Sequence, residues 1–187
     1  MIFTCTPNAI TGILCLFSAT LFSQITTFQK TYGTPDQESA TDIIETPDGY
    51  LIAGRTHRTA DNTPLALLIR IDKNGSVLWQ KTYGGTDEVG FESVAIANDG
   101  GFIAWGSIKK DGSSVSDAWL VKVDDDGNLL WQKTIGAPAS SEFPVGQIVV
   151  MPDGYILSGN SNQSFVIQVD NAGDILWSRM TSNTGSS

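Results

Sequence analysis

Apolar residues along this chain come in short runs separated by polar turns rich in Asp and Gly, with no sustained helical period. Residues 80–131 show the pattern in full. Ser93 to Ala97 is a short β-prone stretch, Asn98-Asp99-Gly100-Gly101 is a turn, and Phe102 to Ile108 returns. Lys109 to Ser116 is a polar loop. Ala118 to Asp124 then runs as a strand, Asp125-Asp126-Gly127 turns, and Asn128 to Thr134 returns. Alternation bounded by such turn residues predicts two hairpins, that is, one four-stranded antiparallel sheet in about 50 residues.

The same text is written three times. Lys30-Thr31-Tyr32-Gly33 returns as Lys81-Thr82-Tyr83-Gly84 and as Lys133-Thr134-Ile135-Gly136. Asp48-Gly49 and Asp99-Gly100 follow fifteen residues after the first two glycines, and Asp153-Gly154 seventeen after the third. Later in each unit come Asp72 to Gly75, Asp124 to Gly127 and Asp170 to Gly173, then Trp79, Trp131 and Trp177. A period of this length is the mark of a repeat architecture, here with units at about 28–79, 80–131 and 132–177 and a polar tail at 178–187. In the second turn of each unit Asp holds position i and Gly i+3, the preferences of a type I turn closed by a left-handed glycine. Pro47-Asp48-Gly49 and Pro152-Asp153-Gly154 put Pro at i+1 of a similar turn. A calcium loop is the alternative for these aspartates, but the EF-hand places its Gly sixth and closes with Glu at twelve.

The strands before the second turns are apolar on both faces. Leu67, Ile69 and Ile71 point one way and Ala66 and Leu68 the other; Trp119, Val121 and Val123, and Phe165, Ile167 and Val169, repeat the pattern. Sheets wetted on one side alternate cleanly, so each sheet is expected to have a neighbour above and below. Only Arg70, Lys122 and Gln168 interrupt, at equivalent positions, and they are expected to snorkel at a rim. The predicted fold is therefore all-β: tandem four-stranded antiparallel sheets forming three blades of an open or incomplete β-propeller, because closed propellers use about four to eight blades. The recurrent Trp is expected to dock on the next blade. Burying a ring of about 150–250 Å² makes Trp131→Ala cost about 3–5 kcal/mol.

The run Trp-Gln-Lys-Thr-Tyr-Gly-Gly, then Asp-Gly-Gly-Phe-Ile, Asp-Ala-Trp-Leu-Val-Lys-Val-Asp and Gly-Asn-Leu-Leu-Trp resembles repeats of secreted bacterial β-propeller-like proteins, over residues 28–177. That resemblance implies a long array, often ending in a C-terminal sorting domain, and implies no particular activity. This chain carries three units and no such domain, so a fragment of a longer array is expected, with self-association through open blade faces or a compact three-sheet prism as alternatives.

Composition changes the picture in three places. The formal charge of −9 argues against nucleic acid as a partner, since phosphate binding needs clustered Lys and Arg. Residues 1–23 hold none of the charged side chains, and Ile10 to Phe22 is an apolar run too short to span a bilayer. It suits the core of a signal peptide, with Ser23 before the cut and Gln24 after it, though Leu21 is large and no Lys or Arg precedes the run. The expected site of action is secreted or cell-surface. Cys5 and Cys15, the two cysteines, lie inside that leader, so the mature chain has no disulfide framework and no Cys-based metal site.

Three functions are compatible with this pattern to different degrees. The first is a non-catalytic binding or scaffold module. Loops at Thr56 to Pro64, Ser107 to Ser116 and Asn160 to Ser164 differ in length, and repeat proteins often bind on such a face. Arg55, His57, Arg58, Lys109 and Lys110 make that face locally basic, open to an acidic glycan or a cell-surface protein. Trp105 stands where the sister units carry Ala53 and Ser158, either as core packing or as a ligand-stacking aromatic on the same face. The second is a lectin: Asp126-Gly127-Asn128-Leu129-Leu130-Trp131 resembles part of the bulb-type lectin repeat, which implies mannose binding on a three-sheet prism. The nearest stretch to its pocket motif, Gln168-Val169-Asp170-Asn171-Ala172, keeps only the Gln and the Asp.

The third is an enzyme. The Asp-to-Trp spacing is close to the docking repeat of quinoprotein propellers and to sialidase Asp-boxes, and it matches neither. The single histidine, His57, has no catalytic context, and no residue set for a nucleophile, a metal or a cofactor stands out. No enzymatic activity and no cofactor are expected. Asp36, Asp87, Glu88 and Glu142 follow the Lys-Thr-x-Gly units and are expected to bond turns or to pair with Lys30, Lys81 and Lys133.

Overall fold

The computed structural model describes residues 29–33, 37–136 and 140–180. The leader at 1–23, Asp36 and the end of the polar tail lie outside the described residues. Strands run β1 Ser39–Thr46, β2 Gly49–His57, β3 Pro64–Asp72, β4 Val77–Tyr83, β5 Glu88–Ile96, β6 Phe102–Lys109, β7 Asp117–Val123 and β8 Leu129–Ile135. They continue as β9 Phe143–Pro144, β10 Val149–Met151, β11 Gly154–Asn160, β12 Ser164–Asp170 and β13 Ile175–Met180. Three antiparallel sheets result, in the orders β1-β2-β3-β4, β5-β6-β7-β8 and β10-β11-β12-β13, with the short β9 also pairing with β11.

The all-β class, the four-strand unit and the hairpin turns were legible in the pattern. Unit boundaries were not. Cuts after Trp79 and Trp131 fall inside β4 and β8, and Ser178-Arg179-Met180, assigned to the tail, belongs to β13. A period fixes the repeat length but not its phase, and the conspicuous Trp sits in mid-strand rather than at a unit's end.

The Asp-x-x-Gly turns form as their residues require. Gly75, Gly127 and Gly173 take φ of 74°, 73° and 79°, a left-handed conformation that side chains other than glycine resist. The Asp carboxylate then accepts from its own turn: Asp124 Oδ1 bonds Asp126 N at 3.0 Å and Asn128 N at 2.7 Å. Asp72 and Asp170 repeat this on Asn74, Ser76, Ala172 and Asp174.

Register decides which side chains share a face. Leu51, Ala53, Ala66 and Leu68 of the first sheet pack on Phe102, Ala104, Trp119, Val121 and Val123 of the second. Phe91 bridges the layer, stacked on Trp119 at 5.4 Å between centroids and tilted against Tyr83 at 5.6 Å. The second sheet's other face, with Ile103, Trp105, Ala118 and Leu120, packs on Tyr155, Leu157, Phe165, Ile167 and Val169 of the third. The middle sheet is thus covered on both sides, as its unbroken apolar runs require. The third is covered on one: β12 alternates buried with half-buried, and β13 is exposed throughout.

Arg70 and Lys122 correct the expectation of snorkelling. Both are buried, at 6 % and 1 % exposure. Each is met by the Asp of the first turn in its own sheet: Arg70 by Asp48 and Thr46, and Lys122 by Asp99 at 2.9 Å and by the Gly100 carbonyl. Arg70 also lies over the Phe102 ring of the next sheet, 5.5 Å from its centroid. The charges stay inside because the Asp-Gly turn brings an anion to them, so they need not reach for water. In the third sheet the position is the neutral Gln168.

Candidate functional site

The recurrent residues join one sheet to the next. Trp79 Nε1 donates to the Asp125 carbonyl of the next sheet at 2.9 Å, and its ring lies against Gly127. Tyr83 Oη donates to the Gly127 carbonyl at 2.8 Å and Lys81 Nζ to Asn128 Oδ1 at 2.6 Å. One interface along, the Trp131 ring lies against Gly173 and Lys133 Nζ meets Asp174 at 2.7 Å. Before the first sheet, Tyr32 Oη donates to the Gly75 carbonyl at 2.9 Å. Each outer strand therefore clasps the glycine turn of the following sheet. Among the described residues Trp177 bonds within its own sheet: its Nε1 donates to Gln168 Oε1 at 2.6 Å, and the residue is 39 % exposed. Burial raises the Tyr83 phenol, as does nearby Asp124, so its hydroxyl stays a donor at any physiological pH.

The basic face foreseen in the loops is neutralised within the chain. Arg55 pairs with Glu92 of the second sheet. Arg58 grips Asp61 at 2.6 and 2.8 Å and reaches the Gly85 carbonyl at 2.6 Å, and this guanidinium holds the Asp61 carboxyl well below the usual range. Lys109 pairs with Glu88 at 2.9 Å. The His57 ring nitrogen Nδ1 lies 3.0 Å from the Gln37 carbonyl oxygen. Lys110 is exposed on the same end. Trp105 does not belong to that face: it is fully buried on β6, and its Nε1 donates to the Ser158 carbonyl of the third sheet at 2.9 Å. An indole in place of Ala53 thickens the second interface, so the residue packs and cannot stack on a ligand.

The acids after the repeats do not pair with Lys30, Lys81 and Lys133 as a set. Asp87 accepts from the Asp111 amide at 2.9 Å, Glu88 takes Lys109, and Glu142 is buried between the second and third sheets. Gln168 and Asp170, the remnant of the lectin motif, are engaged by Trp177 and by the Asp170 turn itself. Among the described residues no three His, Cys, Asp or Glu side chains converge as metal ligands.

The structure adds a concave surface that the sequence did not announce. At the turn end, between the first two sheets, Asp48, Arg70, Trp79, Phe102, Asp125 and Asp126 line a crevice of about 580 Å³. Arg70 is already neutralised by Asp48, so Asp125 and Asp126 leave the rim acidic. On the adjoining inner edge, Asp42 Oδ2 accepts from Ser93 Oγ at 3.1 Å and Val94 N at 2.9 Å, and Ser93 Oγ accepts from Ile148 N at 3.2 Å. These bonds knit the first strands of the three sheets beside a groove of about 350 Å³ that exposes Ile43, Ile96 and Val150. Only the spatial pairing of turn and strand residues from different units creates these surfaces, which is why spacing along the chain concealed them.

One packing flaw gives a direct test. The Tyr155 hydroxyl is buried without a partner among the described residues, and the equivalent position of the second sheet is Phe102. Removing an unsatisfied buried hydroxyl is neutral or stabilising. Tyr155→Phe is therefore expected to hold or raise the melting temperature; a fall of several degrees would mean that the hydroxyl has a role in the folded state.

No family model and no curated protein matches the sequence. Among solved structures, the chain is similar to a protein of unknown function from Bacteroides caccae, with 20 % identity and a TM-score of 0.41. The match covers 62 % of this chain and 36 % of that one.

Proposed function

We propose that the chain is a secreted, non-catalytic repeat module of the β-propeller type, offering its turn-end crevice and loops as a binding or scaffold surface. The observation that supports this reading is the use made of the recurrent polar residues. Trp79, Tyr83, Lys81, Lys133, Arg70 and Lys122 hold sheet to sheet or hairpin to strand. The repeat is thus a stacking device, and sequence variation falls in the loops that it carries. Three sheets stacked in this way correspond to three blades, and the exposed face bearing Trp177 is where further sheets or further copies would dock. Sedimentation velocity over a range of concentrations tests the copies; a monomer at every concentration removes self-association.

Export is proposed from the apolar leader, and intact mass of the secreted product tests it: a chain beginning at Gln24 is expected, whereas retained Met1 in an intracellular protein would refute export. A glycan array on the same product separates binding classes. The acidic crevice favours hydroxyl-rich or cationic groups over acidic glycans. A mannose-selective signal abolished by Gln168→Ala would replace this reading with the lectin one.

A further inference from the structure

We propose that the interface between the second and third sheets holds a binding cleft for a small organic cation, an ammonium group on an apolar body, with Glu142 as its counter-ion. The second interface departs from the first at its outer rim. Between the first two sheets, Tyr83 fills the outer rim and Val89 packs under it, 3 % exposed. One interface along, the equivalents are Ile135 and Glu142. Isoleucine is shorter than tyrosine and has no hydroxyl to seal onto the Gly173 carbonyl. A cleft of about 210 Å³ is left there, its wall including Ile135, Glu142, Phe165, Ile167, Ile175 and Met180.

Into this apolar cleft the chain places one carboxylate. Glu142 is 6 % exposed, and its Oε2 is shielded from solvent and has no hydrogen-bond partner among the described residues. An unpaired buried charge is among the most costly features a fold can carry; the second unit has Val89 at this position, while the first carries Glu38. Lys133, two residues before Ile135 on β8, is committed to Asp174 at 2.7 Å. Asp117 adds to the negative field: its carboxylate packs directly on Gly136, another residue of the cleft wall. What the cleft lacks is a cation with an apolar body. A cavity near 150 Å³ admits benzene, so this one suits a ring with a short chain, about eight to ten non-hydrogen atoms. The Phe165 ring offers such a body an aromatic contact. This inference rests on the second interface alone and stands apart from the binding surface proposed above.

The probe is 2-phenylethylamine, with 2-phenylethanol as its neutral counterpart, titrated into the purified full chain by calorimetry or by amide chemical shifts. Saturable binding of the amine is expected, with the alcohol at least tenfold weaker. Glu142→Val and Ile135→Tyr each install the residue that the second unit carries at that position, Val89 and Tyr83, so both are compatible with the fold, which circular dichroism checks. Each is expected to weaken the amine at least tenfold, Glu142→Val by removing the charge and Ile135→Tyr by filling the space, and Glu142→Val is expected to raise the melting temperature of the free protein. No saturable binding, equal binding of amine and alcohol, or amine binding unchanged in both folded variants would overturn the proposal.

Discussion

Replacing Trp105 by alanine is expected to lower the stability of the protein by about 3–5 kcal/mol, the range for removing a buried aromatic from a packed interior. For a chain of this size that is a fall in melting temperature on the order of 10 °C. The side chain is the largest of those fully buried, it packs among Ile103, Leu120 and Leu157, and its indole N–H satisfies the Ser158 carbonyl across the interface. Truncation therefore opens a cavity and removes a hydrogen bond across the interface, while the Ser158 carbonyl keeps the Val145 amide at 3.1 Å. Trp131→Ala is expected to cost less than the 3–5 kcal/mol anticipated from the repeat, because its ring is only partly buried on the Gly173 turn. Paired melting curves check the ranking. Equal losses, or a larger loss for Trp131, would mean that the recurrent latch and not the aberrant core indole carries the second interface.

The second large effect concerns Lys122 and Asp99. Asp99→Ala is expected to destabilise by about 1–2 kcal/mol, below the 3–5 kcal/mol seen when a fully enclosed pair is broken, because Asp99 itself is 56 % exposed and partly screened. The ammonium would keep only the Gly100 carbonyl. Lys122→Met is expected to be near neutral, since an apolar chain of similar volume needs no counter-ion, and the double variant should recover most of the Asp99→Ala loss. The pair also makes stability depend on pH. The hydrogen bond from Lys122 holds the Asp99 carboxyl below its ordinary range. A carboxyl depressed in the folded state stabilises above its unfolded pKa, near 4, and that contribution is lost as pH falls through the folded value. Melting temperatures taken from pH 6 downward should therefore fall more steeply for the native chain than for Lys122→Met; parallel curves would show that the pair is not coupled to folding.

The deepest contrast between chain and structure lies in Arg70 and Lys122. As letters in an apolar strand they read as intrusions to be carried to water. Their partners, Asp48 and Asp99, stand 22 and 23 residues upstream in turns that read as punctuation. The β2–β3 and β6–β7 pairings bring turn and strand together, and only that pairing turns two oddities into one device. Glu142 is the opposite case: it read as one more acid in a recurring set, and the fold left it alone in an apolar cleft.

Local grammar was enough for the strands, the turns and the repeat, because a glycine at φ near +75° and an alternating apolar run each depend on a few neighbouring residues. The fate of each charge, the place of Trp105 and the cleft at Ile135 belong to the tertiary structure. They depend on which side chain of one sheet meets which of the next, some fifty residues away, and on whether the volumes at that meeting match. A repeat tells where such meetings occur; the departure at Ile135, where the other units carry tyrosine, and the carboxylate of Glu142 acquire their chemistry only when the sheets are stacked.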